Sequence, residues 1–148
     1  MRIQFMVVCV ATIIFLSLQT GCKKQAGTWD EDAGNWERVF QSSKPDEVTI
    51  IHSRYWKSQH FTDEYQFFFE LQMSDEFRKS FLKKQGLVLT DRKKVSERIS
   101  AFGEIPEWFT PQPEENYEVW TYKNDPKNNL RAFVDTKTFH MFLMGSQM

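Results

Sequence analysis

The nine residues "YQFFFELQM", 65–73, decide how the rest of the chain is read. Tyr65, Phe67, Phe69, Leu71 and Met73 fall on alternate positions, with Gln66, Glu70 and Gln72 between them. A period of two is the mark of a strand with one buried face. Phe68 is the single break in the alternation. A strand so rich in aromatic rings needs a partner strand and a layer of structure over its apolar face.

Its neighbours supply both. Upstream, "DEVTIIHSRYWKS" is β-branched early and aromatic late, and reads as a strand over residues 47–57. Val48, Ile51, His52 and Tyr55 also fit a helical period. The short polar break "SQHFTDE" before Tyr65 favours a strand and a hairpin. Downstream, "SDEFRKSFLKKQG" reads as a helix. Ser74 is placed to cap it, Asp75 and Glu76 suit its positive end, and Lys83 and Lys84 suit its negative end. Gly86 can take the left-handed conformation that ends it. A second helix is expected over residues 91–103, where Val95, Ile99 and Phe102 recur at helical spacing.

"IPEWFTPQPEE", 105–115, holds three of the five prolines and predicts an irregular, stiff segment pinned to the core by Trp108 and Phe109. "YEVWTY", "LRAFVD" and "FHMFLM" then read as three strands of a meander. Before the first strand, Trp36, Val39 and Phe40 mark a short helical turn. The expected fold is therefore α+β: an antiparallel sheet of about five strands in the order ββα(α)βββ, with one or two helices packed on one face. The expected domain is a single one over residues 36–148, preceded by a polar tether over 22–35.

The 148 residues carry a formal net charge of −1, too balanced for the chain as a whole to seek a polyanion, and no nucleic-acid partner is expected. Aromatic residues make up 16%, enough to build a real core and to exclude a mostly disordered chain. Charge is locally uneven. Residues 78–98 hold eight basic side chains against Asp91 and Glu97, while 104–118 hold five glutamates and no basic residue.

The N-terminus differs from everything after it. Arg2 precedes an apolar run from Ile3 to Leu18, and no acidic residue occurs before Asp30. This is the pattern of a secretory signal peptide, expected over residues 1–21. As a helix the run would cover about 24 Å, short of a ~30 Å hydrocarbon core. An uncleaved anchor helix is the alternative. The only cysteines are Cys9 and Cys22, so residues 23–148 contain neither a disulfide nor a thiolate metal site.

"LQTGC" closes the run. With Leu18 and Thr20 upstream and Gly21 immediately before Cys22, it resembles the lipobox of bacterial lipoprotein precursors. Gln19 stands where that family usually has leucine. The resemblance covers residues 1–24 and implies that the chain is cut between Gly21 and Cys22. It further implies that the Cys22 thiol carries a diacylglycerol and its amino group a fatty acid such as palmitate. Lys23, rather than the aspartate of an inner-membrane retention signal, implies an outer-membrane destination in a Gram-negative cell. The expected partner is then the membrane itself, through the lipid, together with an envelope protein.

Beyond Cys22, chemistry is sparse. No cofactor motif, metal-ligand spacing or nucleophile elbow is present, so no catalytic, cofactor-binding or metal-ligating residue is expected. Tyr55, Trp56 and His60 form the candidate binding patch, because Tyr and Trp favour interfaces. The expected function is a lipid-anchored, non-enzymatic binding module of the cell envelope. The alternative is a small envelope enzyme using the polar and aromatic stretch 52–65 with His140.

Overall fold

The computed structural model describes residues 26–59, 64–90, 104–111, 116–123 and 130–147. Within these, the chain runs β1 (Gly27–Asp30), α1 (Asn35–Phe40), β2 (Thr49–Lys57), β3 (Tyr65–Gln72), α2 (Asp75–Lys84), β4 (Leu87–Thr90), β5 (Tyr117–Tyr122), β6 (Arg131–Asp135) and β7 (Met141–Gln147). The strands form one antiparallel sheet in the order β1-β2-β3-β7-β6-β5-β4. Two strands more than expected are present. β1 lies within the stretch read as a tether, and β4 lies between the two expected helices. The expected helix over 91–103 falls outside the described residues.

The topology follows from pairing needs. β1, β2 and β3 meander to the middle of the sheet. α2 then carries the chain across one face to the far edge, and β4, β5, β6 and β7 meander back until β7 pairs with β3. Both flanks of the aromatic strand are thus hydrogen-bonded.

α2 forms as its caps dictate. Ser74 Oγ accepts a 3.2 Å bond from the Phe77 N–H, and Gly86 follows the helix at φ 72°. Its Phe81 and Leu82 join Trp36 of α1 over Tyr55, Phe67, Phe69, Leu71, Met141, Leu143 and Val134, all buried. Both helices therefore cover the same face. Asn35 ties this corner together from within. Its Nδ2 donates to the Trp29 carbonyl at 2.9 Å and to Ser53 Oγ at 3.0 Å, and its Oδ1 accepts from Arg38 at 2.8 Å.

Phe68, which broke the alternation, points to the opposite face. There it packs with Tyr117, Phe142 and Met144 beneath the proline-rich segment. Phe109 closes this second core, with ring centroids 4.9 Å from Phe68 and 5.5 Å from Phe142, both edge-on. The sheet is covered on both faces, by helices on one and by an irregular strap on the other.

This arrangement makes the strap a structural element rather than a surface loop. Phe109→Ala should lower the unfolding free energy by about 3–5 kcal/mol, the usual cost of deleting a buried ring. Urea denaturation measures it. A change well under 1 kcal/mol would mean that the second face is not covered by this ring.

Candidate functional site

Two places bring polar and aromatic side chains together. The first is a recess of about 190 Å³ on the helix-covered face, where Phe40, Tyr65, Phe67, Tyr122, Leu130 and Gly145 meet, with Gln85 and Ser146 at its edge. Its floor depends on one glycine. Gly145 is the register partner of Phe67, and a Cβ there would stand 2.5 Å from the Phe67 Cζ and 2.7 Å from its Cε1. The ring lies across the bare backbone of β7, a close approach that only glycine permits.

Tyr65 is half-buried at this place. Burial, and secondarily the nearby Tyr122 phenol, raise its pKa above the ordinary phenol value. The recess thus combines aromatic walls with phenol, amide and hydroxyl groups, and holds no carboxylate, histidine or cysteine among its lining residues. Its lining residues include no group that ordinarily titrates near neutrality. Its volume is below the ~300–1,000 Å³ of small-molecule sites, which suits a short group rather than a whole metabolite.

The second place is the opposite face, where two histidines each meet a carboxylate. A register shift between Ile50 and His52 re-aims β2. Ile50 packs on the helix side, while His52 faces the other way, level with Glu70. His52 Nδ1 lies 3.1 Å from Glu31, and its ring stacks on Trp108 at 5.2 Å between centroids. His140 Nδ1 lies 3.2 Å from Glu70 Oε1. Tyr117 adjoins this pair, and its pKa is raised first by burial and then by the charges of Asp135 and Glu70. Each histidine has its own carboxylate, and among the described residues no three or more His, Cys, Asp or Glu are grouped to hold a metal ion.

The candidate patch of Tyr55, Trp56 and His60 is not one surface. Tyr55 is buried under the helices, stacked on Tyr65 at 5.9 Å. Trp56 faces the other side, because adjacent strand residues point to opposite faces. His60 lies outside the described residues. Ser53, from the same stretch, is buried beneath α1 and bonded by Asn35. Cys22 and Gly21 also lie outside the described residues. The recess residues Tyr122 and Gly145 carried no signal beyond their strands. Gly145 lies just beyond the strand read as "FHMFLM", and its role depends on a ring 78 positions earlier, at Phe67.

Two outcomes follow. Gly145→Ala should destabilise the fold by about 1–3 kcal/mol by overpacking against Phe67, and Gly145→Ala with Phe67→Leu should recover part of that loss in the same denaturation assay. A phenol whose folded pKa is raised favours folding below its unfolded value of about 10 and loses that contribution as pH rises through the folded value. Stability should therefore fall above pH ~10, and Tyr65→Phe should lessen the fall. An identical alkaline profile in wild type and Tyr65→Phe would contradict the burial of this phenol.

Comparison of the chain with protein-family models, with curated proteins and with solved structures finds no match to any of them.

Proposed function

We propose that this chain is a bacterial cell-envelope lipoprotein, held at the membrane by lipid on Cys22, whose α+β domain is a binding module that engages an envelope partner through the recess beside Tyr65. One observation carries the anchor. Cys22 stands at the end of an apolar run and five residues before the first described strand, and no cysteine follows it. The described sheet and both its cores lie entirely beyond it. No cysteine follows Cys22 for it to pair with, which supports its use as an attachment point. A single acyl chain holds a protein only marginally, and two or three hold it firmly. Among the described residues no helix is long and apolar enough to cross a membrane.

Binding is preferred to catalysis on the character of the side chains. The recess offers aromatic walls without an acid or base. The rival enzyme, drawn from residues 52–65 with His140, has less support. Its serine, Ser53, is sealed under α1, and His52 and His140 are each engaged with a different carboxylate.

The attachment has a direct test. Cells fed a labelled palmitate analogue should incorporate it into the wild-type protein and not into Cys22→Ser. Equal labelling of the two would overturn the anchor.

A further inference from the structure

The strands of an antiparallel sheet share two common ends, and here those ends differ in charge. The register puts Gly27, Lys57, Tyr65 and Gln147 at one end, together with Leu87 and Tyr122. α2 finishes at the same end, since only Gln85 and Gly86 separate it from β4. Among the described residues this end carries Lys57, Lys83, Lys84 and Lys123 against Glu64. Lys83, Lys84 and Lys123 are exposed and form no ion pair among the described residues.

The other end is acidic. It gathers Asp32 after β1, Asp46 and Glu47 before β2, Glu70, Asp75 and Glu76 around the start of α2, and Asp135 at the end of β6. Three of its basic side chains are engaged with these carboxylates: Arg38 with Asp32, and Arg78 and Lys79 with Asp75. Lys44 and Lys137 complete the set. Asp30 and Arg54 pair with each other midway along the strands, level with Arg131. A net charge of −1 over the whole chain thus conceals a separation of charge along the strand axis.

The chain enters the sheet at its basic end. From Cys22 to Gly27 there are five residue steps, which reach at most about 18 Å. β3, eight residues long, spans about 27 Å. A domain tied by Cys22 cannot turn its acidic end down to the surface from which it hangs. Its basic end can come within a Debye length of about 8–10 Å of the headgroups, inside which the attraction is only partly screened.

Resting on the lipid-anchor reading, we infer that the basic end of the sheet is a membrane-docking surface for anionic phospholipid headgroups. It holds the domain end-on, with the acidic end outward. Lys83, Lys84 and Lys123, on α2 and after β5, make the contact with the headgroups.

The test uses the lipidated protein reconstituted into vesicles of phosphatidylcholine alone or of phosphatidylcholine with phosphatidylglycerol. A water-soluble amine-acylating reagent is applied, and modification is read lysine by lysine by mass spectrometry. Lys83, Lys84 and Lys123 should react several-fold more slowly on the anionic vesicles, while Lys79 and Lys137 react at the same rate on both. High salt should abolish the difference. Equal protection of both sets, or none at the basic end, would overturn the docking surface. The same digest reports the mass of the Cys22 peptide. If that peptide carries no lipid, the anchor reading fails by itself. The unlipidated protein mixed with anionic vesicles then still tests the surface, with selective protection of Lys83, Lys84 and Lys123 supporting it and its absence overturning it.

Discussion

Everything in this fold depends on β3 being apolar on both sides. Phe67, Phe69 and Leu71 demand cover on one face, and Phe68 demands it on the other. A central strand of this kind must also be paired on both edges, because its backbone polar groups are removed from water. Those demands explain why the chain does not stop after a hairpin and a helix. It crosses the sheet with α2, builds the far edge, and returns to lay β7 against β3. They also explain the irregular strap, whose Phe109 is among the most buried rings in the domain at 3% exposure.

The same strand positions the site. Phe67 lies across Gly145, which leaves room above the ring for the recess shared by Phe40, Tyr65 and Tyr122. A larger residue on β7 would push Phe67 into that space. Recess and core are therefore one packing problem, and the residues that line the site cannot be exchanged without repacking the sheet centre. The position of the recess along the strands follows from the register, which also gathers the basic side chains and the incoming chain at that end.

Strong periodic patterns were legible from the residues. β3, the hairpin with β2, the capped α2 and the meander of β5, β6 and β7 all rest on features read within a few positions of one another. The edge strands were not. β1 is four residues long and half polar, and "GTWD" resembles a linker until β2 is present to pair with it. β4 is equally short, with Val88 and Leu89 exposed. Phe68 looked like an exception because the second apolar layer comes from a strap some 40 residues further along, at Phe109. Tyr55 and Trp56 looked like one patch because composition ignores which face a side chain takes. The bulge that turns His52 away from the helices leaves no trace in residue type. Apart from Tyr55 and Trp56, whose opposite faces follow from strand alternation alone, each miss involved a contact between positions distant in sequence, which local pattern does not encode.

On the proposed reading, function enters through the segment before the fold rather than through the fold itself. A lipid on Cys22 would turn a sheet with one basic and one acidic end into an oriented object, and the five-step connection to Gly27 is what limits its freedom. The most direct measurement of this account is the intact mass of the protein recovered from the membrane fraction. The account predicts a chain beginning at Cys22 and heavier than its residues by a diacylglyceryl group, with or without a further acyl chain. A chain that retains residues 1–21, or that carries an unmodified Cys22, would contradict it.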